Sequence, residues 1–388
     1  MNATRDAGNA ALRRVGRSLV SWWEIPPRSA LDRGDFVRFA HGIATLARQL
    51  VAAASGLAGL PPSWRGPWPS APEGFGERLA EMTSLASPTR SADLAETLTE
   101  EMLTLMERAG VPEVAERLGR WTYGPLPPEI TPDRVRALAA QVFERARSHG
   151  ALAVVIADSW ARRCADNASD VDIRLVVEVD PALDDRRALV APFARGAIRQ
   201  YGDEAYITAD QFAWSGRRID VKYHSLARLA RSLSERFVLG GAIDLLELVA
   251  VHETVADPTG AMARLSAQRD RLQARAAEVA DASLAALLEV PAEPPRGATA
   301  AQVMAATLGP ELEYAARAWA GMNGRIHAFP KWLAALVPEL ARRPPDGWDR
   351  LQRIAAGPWT EDRLGRQRAL WRRFVDDLAV LGRGIVRH

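Results

Sequence analysis

The chain has 388 residues, 48% of them apolar and 25% charged, as is usual for a globular protein with two or three domains. A formal net charge of +2 provides no strong field toward nucleic acid or anionic membrane, and the single cysteine, Cys164, excludes an intrachain disulfide and a cysteine-based zinc site. No apolar run approaches the roughly 20 residues of a membrane helix. We therefore expect a cytoplasmic protein without a membrane partner.

The first third of the chain has the periodicity of helices. One amphipathic segment follows Asp32 and ends at Gly56, and a second follows Ser91 and ends at Gly110. We expect residues 1–124 to form a helical N-terminal domain, whose role the sequence does not indicate.

The middle of the chain changes to a mixed pattern after a proline-rich linker at residues 125–128. Thr131-Pro132-Asp133 is typical of a helix start, and Gly150 of its end. Short apolar or alternating runs then predict buried strands. The predicted strands are 151–157, 171–179, 204–208 and 218–224, with a helix over 184–200.

From about Ser225 the sequence returns to helical patterns, with a capping-box spacing at Thr299 and Gln302. The predicted fold class is α+β. It comprises the helical N-terminal domain, a central α/β domain with a small mixed sheet over 131–228, and a helical C-terminal domain over 229–388.

Three aspartates in the central domain are candidates for metal binding. Asp170 and Asp172 are two residues apart on a predicted strand, so their side chains should share a face, and Asp220 lies on another predicted strand. Neighbouring carboxylates repel each other unless a cation lies between them. Carboxylates together with phosphate oxygens are typical ligands of Mg²⁺, and a pair of such ions can activate an attacking hydroxyl.

The spacing from Ser159 to the segment Ser169-Asp170-Val171-Asp172, followed by a third acid on a later strand, resembles the polymerase-beta-like nucleotidyltransferases. Residues 252–260 and 323–333 resemble segments of bacterial members that carry a helical C-terminal domain. The resemblance covers roughly residues 132–340.

This resemblance implies transfer of a nucleoside monophosphate from an NTP, with ATP the first expectation, to an acceptor group. Asp170 and Asp172 would bind two Mg²⁺ ions, and Asp220 would complete the site that activates the acceptor. The remaining candidates would contact the nucleotide: Asp158, Ser159, Arg162, Arg163, Ser169, Lys222 and Lys331.

Two positions depart from the family pattern, because Asp158 and Arg163 stand where glycines are usual. Glycine lets backbone N–H groups approach a triphosphate closely. Three interpretations are open: Arg162 and Arg163 compensate for the added negative charge, Asp158 is a further metal ligand, or the triphosphate site is lost.

Several other residues have a functional and a structural interpretation. Lys222 either holds a phosphate or lowers the pKa of Asp220, or it forms a plain ion pair. Lys331 either closes over the nucleotide or is a surface residue. His224 and His252 are either acceptor-site groups or structural histidines.

The sequence favours a small-molecule acceptor, because no extended basic face with interleaved aromatic residues is present. Two alternatives remain: a catalytically silent binding or regulatory protein of the same fold, and an enzyme that attaches AMP to a partner protein. A homodimer is compatible with either.

Overall fold

The computed structural model describes residues 2–115, 117–120, 126, 128–167, 169–201, 208–229, 251–267, 275–290, 298–325 and 330–383, including the side chains of all of these except 2–9, 330 and 331. The chain forms two compact units. The first combines Met1–Arg120 with Ala277–His388, and the second is Trp121–Ala276.

Helices build the first unit. They are α1 (Asn2–Glu24), α2 (Arg28–Leu31), α3 (Phe36–Leu57), α4 (Phe75–Ser84), α5 (Pro88–Arg108), α10 (Ala276–Glu289), α11 (Ala300–Val303), α12 (Gly309–Gly321), α13 (Pro330–Leu336), α14 (Gly347–Ala356) and α15 (Leu364–Arg383), with a π-helical turn at Met304–Leu308 and 3₁₀ turns at Pro112–Ala115 and Val337–Glu339.

Both predicted N-terminal helices are present, and each has a side-chain cap. The Asp35 carboxylate accepts a hydrogen bond from the Arg38 N–H at 2.9 Å and so caps α3. Ser87 rather than Ser91 caps α5, and Ser91 is buried inside that helix. Neighbouring polar residues compete for the cap, and tertiary packing decides between them.

The N-terminal and C-terminal helices share one hydrophobic core, which differs from the two separate helical domains expected from the sequence. The Gln352 side-chain oxygen accepts hydrogen bonds from the backbone of Phe36 at 2.8 Å and Val37 at 3.2 Å, so a C-terminal side chain completes the first turn of α3. Helix α3 also packs against α12 and α14 of the C-terminal segment. Each half buries apolar surface that would otherwise remain exposed.

The second unit contains a six-stranded sheet in the order β3-β4-β5-β2-β1-β6. Its elements are α6 (Pro132–Ala146), a 3₁₀ turn at Arg147–His149, β1 (Ala151–Ala157), α7 (Asp158–Ala161), β2 (Val171–Val177), α8 (Leu183–Val190), β3 (Ile198–Tyr201), β4 (Thr208–Trp214), β5 (Arg217–Ser225), β6 (His252–Ala256) and α9 (Ala261–Ser266).

The sheet is mixed, because β2 and β5 are parallel whereas the other four strand pairs are antiparallel. One of its faces is apolar and packs on α6, whose Val135, Val142 and Phe143 are buried in the same core as Ile173 and Val221. The Thr131 side chain caps α6 as predicted, and Gly150 follows it with a left-handed φ of 80°. Alternation along β2 and β5 therefore fixes which residues face α6 and which face away.

Three strand predictions are confirmed (β1, β2 and β5), and two expectations are wrong. The predicted helix over 184–200 ends at Val190, and Ile198–Tyr201 is a strand that pairs with β4. Helices were expected throughout the chain after Ser225, yet His252–Ala256 pairs with β1. The predicted boundary at residue 228 therefore leaves a strand of the sheet outside its domain. The predicted strand at 204–208 lies largely outside the described residues.

The fold is thus a mixed α+β arrangement with helices at both ends of the chain. Within the part of the chain that the structure describes, no helix combines the length and the apolar character needed to cross a membrane.

Candidate active site

The face of the sheet that points away from α6 carries a row of charged and polar side chains. Asp172 on β2 is the register partner of Asp220 on β5, and Arg174 is the partner of Lys222 two residues later. Gln211 on β4 lies opposite Asp220 and donates a hydrogen bond to its carboxylate at 2.9 Å. Asp172 is 3% exposed and Asp220 is 5% exposed. The structure therefore brings the predicted acids together on adjacent parallel strands.

Asp170 joins this group from the residue just before β2. The Trp160 indole N–H donates to its backbone carbonyl at 3.0 Å, which fixes the chain at the entrance to the strand. Asp170 is more exposed than the other two acids, with 24% of its side-chain surface accessible. It therefore lies at the solvent edge of the carboxylate group.

Cations of the chain itself neutralise these carboxylates. Arg218 donates a hydrogen bond to Asp170, and its Nε is 3.2 Å from Asp220 Oδ1. The Lys222 Nζ is 2.9 Å from Asp172 Oδ1. Lys222 thus pairs with Asp172 across the strands, and its charge also offsets part of the rise in the pKa of Asp220 on its own strand. Arg218 was not singled out from the sequence, although it is two residues before Asp220 and alternation places it on the same face.

Burial makes the charged form of these acids costly. It is the largest cause of a pKa for Asp172 well above the usual range, and the negative charge of Asp158 adds to it, while Lys222 offsets part of the rise. Burial also raises the pKa of Asp220, against the opposing charge of Arg218. A divalent cation would relieve the repulsion between these acids, which adds to the effect of burial on both pKa values.

Carboxylate oxygens are the donors that Mg²⁺ prefers, so the chemistry of the group fits this ion. Its present arrangement does not form a ready coordination shell: among the described residues, no three His, Cys, Asp or Glu side chains are placed to hold a metal ion. The oxygens point instead toward Arg218 and Lys222. Metal binding would therefore require these two cations to move from the carboxylates.

The turn after β1 has the backbone conformation that glycine favours. Asp158 has a φ of 55° and Arg163 a φ of 58°, and only five non-glycine residues in the described ranges have a positive φ. These are the two positions at which the resembling family has glycine. The turn therefore has a left-handed backbone at both positions, although neither residue is glycine.

Replacing Arg163 by glycine is expected to stabilise the protein by about 0.5–1 kcal/mol, because an exposed L residue gives up its left-handed strain. The matched control is Arg162→Gly, one residue earlier, where φ is −81° and glycine relieves no left-handed strain but adds flexibility to the unfolded chain. Urea unfolding of both variants should show opposite signs. Equal destabilisation by the two glycines would show that the turn is unstrained at Arg163.

Asp158 is part of the charged row rather than an isolated obstruction. Its Oδ2 accepts a hydrogen bond from Arg174 Nη2 at 3.0 Å, and the side chains of this pair are 5% and 0% exposed. The negative charge of Asp158 also raises the pKa of Asp172, so the two carboxylates are close neighbours. Asp158 is therefore a fourth acid of the charged row, paired with Arg174.

The two predicted serines differ in their surroundings. The Ser159 hydroxyl is buried and makes no hydrogen bond to any described residue, which is unusual for a buried polar group and is expected where a ligand binds. The Ser169 hydroxyl donates to Asp166 Oδ1 at 3.1 Å and accepts from the Asp166 N–H at 3.0 Å, so it closes the loop before β2. Arg162 is half-buried and Arg163 exposed beside the turn.

Of the histidines, His224 extends the charged row two residues beyond Lys222. It is 4% exposed, and neither ring nitrogen has a hydrogen-bond partner among the described residues. Burial, followed by the charge of Arg174, holds its pKa well below the usual range, so the ring is neutral. His252 lies on β6, opposite Ala157. The backbone of Lys331 is helical, but its side chain lies outside the described part of the structure.

Comparison with protein-family models and with curated proteins found no match for this chain. The class of protein therefore has to be inferred from the residues of the site.

Proposed function

We propose that the chain is a Mg²⁺-dependent nucleotidyltransferase that moves a nucleoside monophosphate from an NTP to an acceptor group, most simply on a small molecule. The observation that carries this proposal is the position of Asp172 opposite Asp220 on parallel strands, beside a turn with two left-handed residues. A buried cluster of acids is costly, and its retention favours a role in cation and phosphate binding.

Asp170, Asp172 and Asp220 would hold the metal, with Asp158 adjacent to them. When bound, Mg²⁺ would neutralise phosphate charge and favour ionisation of the acceptor hydroxyl. Arg218 and Lys222, which contact these carboxylates at present, would then be free to pair with the oxygens of the donor phosphates.

The remaining residues would position the donor and accept a proton. The unsatisfied Ser159 hydroxyl would donate to a phosphate oxygen, and Arg162 and Arg163 would offset the phosphate charge. The acceptor oxygen forms a bond to the α-phosphorus as the bond to the bridging oxygen breaks and pyrophosphate leaves. Asp220 would take the acceptor proton.

A silent scaffold is the second candidate, and one observation favours it. Arg218 and Lys222 already form ion pairs with the three acids, so the fold does not need a metal ion to neutralise their charge. Such a protein would retain the polar face for stability alone and would bind no NTP.

Calorimetric titration of the full chain with ATP, GTP, CTP and UTP, each with and without Mg²⁺, separates the two candidates. An enzyme is expected to bind at least one NTP in a Mg²⁺-dependent manner, with ATP tested first. Absence of binding by all four would favour the scaffold. With the binding NTP in radiolabelled form, label transfer to small molecules or to a protein band would identify the acceptor class.

A further inference from the structure

A row of buried polar side chains crosses four neighbouring strands, from the edge of the sheet to the acids. Arg199 on β3 lies opposite Gln211 on β4, and Gln211 lies opposite Asp220 on β5. Asp220 is in turn the register partner of Asp172 on β2. All four side chains are buried. The edge strand β3 is thereby connected to the residues proposed to bind metal.

The hydrogen bonds of Gln211 fix the direction in which its amide points. Its Oε1 accepts from Arg199 Nε at 2.8 Å and from the Tyr201 hydroxyl at 2.9 Å. A guanidinium can only donate, so the amide atom that faces Arg199 is the oxygen, and the NH₂ group faces the other way. There, Gln211 Nε2 donates to Asp220 Oδ2 at 2.9 Å. Gln211 thus presents a fixed donor to one oxygen of Asp220.

The two oxygens of Asp220 have different surroundings. Oδ2 is held by Gln211, whereas Oδ1 is buried and accepts no hydrogen bond from any described residue, although Arg218 Nε is 3.2 Å away. A buried acceptor without a donor is costly, and it is expected where a ligand completes the contacts. Oδ1 is therefore the oxygen of Asp220 that is available to a cation when Arg218 moves away.

Gln211 differs from the cationic partners of the acids because it carries no charge. Arg218 and Lys222 would have to leave the carboxylates for a metal ion to bind, since like charges repel. The amide of Gln211 satisfies Oδ2 without adding positive charge, so it does not oppose the ion. Its bonds to Arg199 and Tyr201 do not involve the carboxylates, and they can persist when the ion binds.

We propose that Gln211 is a positioning residue of the acidic cluster: it holds Asp220 Oδ2 so that Oδ1 is the oxygen that meets the metal ion. This inference rests on the proposed function, because it assigns a task within the same site. Arg199 and Tyr201 orient Gln211 and so act one step further from the ion. Hydrogen bonds that fix a ligating carboxylate typically change metal affinity or activity by about 10–100-fold.

The test is a titration of the full chain with Mn²⁺ alone, followed by the EPR signal of the free ion. Mn²⁺ prefers the same oxygen ligands as Mg²⁺. Gln211→Met keeps the length of the side chain and removes the amide, and it is expected to bind Mn²⁺ at least tenfold more weakly than the wild type. A purely structural role would lower the fraction of folded protein, and hence the number of bound ions, without changing the Kd.

Gln200→Met is the matched control, because Gln200 on β3 makes the same kind of hydrogen bond outside the site. Its amide nitrogen donates to Asp210 Oδ1 at 3.1 Å. Asp210 lies opposite Val221 of the apolar core and not on the charged face. This variant therefore loses a comparable contact between glutamine and aspartate, and it should bind Mn²⁺ as the wild type does.

Pyrophosphate release gives a second measurement. In Gln211→Met, kcat is expected to fall at least tenfold while KM for the NTP changes less than twofold, because the residues proposed to hold the phosphates are unaltered. If Gln211→Met does not fold, Gln211→Asn replaces it. Asparagine retains the amide but is one methylene too short to reach both β3 and β5, so it should weaken Mn²⁺ binding in the same way.

Three outcomes would overturn the inference: Mn²⁺ binding that is unchanged or tighter in a folded Gln211 variant, equal weakening by Gln200→Met, or a higher KM with an unchanged kcat. Each of them leaves the proposed function intact as long as the wild type binds Mn²⁺ and an NTP. Absence of both kinds of binding in the wild type would instead overturn the proposed function, and this inference with it.

Discussion

Asp172→Asn is expected to lower nucleotidyl transfer by about 10³-fold or more, because it removes one of the charges that would hold the metal. The fold should persist, since the amide has the same shape and burial already disfavours the charged carboxylate, as the raised pKa of Asp172 indicates. Pyrophosphate release with each NTP measures the loss. Mg²⁺-dependent NTP binding should disappear in the same variant.

A suitable control is Asp210→Asn, a buried aspartate of the same sheet. Asp210 on β4 lies opposite Val221 and accepts a hydrogen bond from the Tyr223 hydroxyl at 2.7 Å, on the apolar face rather than the charged one. Transfer should continue in this variant as long as it folds. Retention of full activity by Asp172→Asn would exclude Asp172 as a metal ligand.

Asp158→Gly is expected to destabilise the protein by about 2–4 kcal/mol, although it restores the residue usual in the resembling family. Glycine would relieve the left-handed strain at φ 55°, worth about 1 kcal/mol. It would also remove the carboxylate that Arg174, with a 0% exposed side chain, contacts at 3.0 Å. Loss of one partner of a buried ion pair outweighs the relief of strain.

Urea unfolding measures this effect, and Arg163→Gly is its internal comparison, because Arg163 has the same backbone conformation without a buried ion pair. Combining Asp158→Gly with Arg174→Met should recover part of the lost stability, since the pair is then replaced rather than broken. Equal stabilisation by both glycines would show that the pair with Arg174 contributes little.

The sequence allowed us to predict that the three acids lie close together, but not which cationic side chains pair with them. Alternation along β2 and β5 places Asp172 and Asp220 on the face of each strand opposite to its apolar residues, and the structure confirms both strands. Which strands are adjacent depends on tertiary pairing, and so does the contact of Lys222 with Asp172 on the neighbouring strand. Local pattern carries no information about such cross-strand register.

Short strands at the edges of the sheet were missed for a similar reason. β6 has only five residues, and it becomes a strand by pairing with β1, about a hundred residues earlier in the chain. β3 follows a charged helix start, and the helical pattern of residues 184–190 was extended too far. The left-handed backbone of the turn was not predicted either, because positions 158 and 163 lack glycine, the residue that usually indicates this conformation.

The two-segment construction of the helical unit has a consequence for synthesis on the ribosome. Residues 1–120 emerge first, but their core is completed by residues 277–388, after all of the sheet unit has been made. The apolar faces of α3 and α5 therefore stay exposed until the C-terminal helices that cover them have been translated. The sheet unit, by contrast, is one continuous stretch of chain and can fold as soon as it is made. The early helices are therefore the part of this unit with the longest exposure to aggregation before residues 277–388 are made.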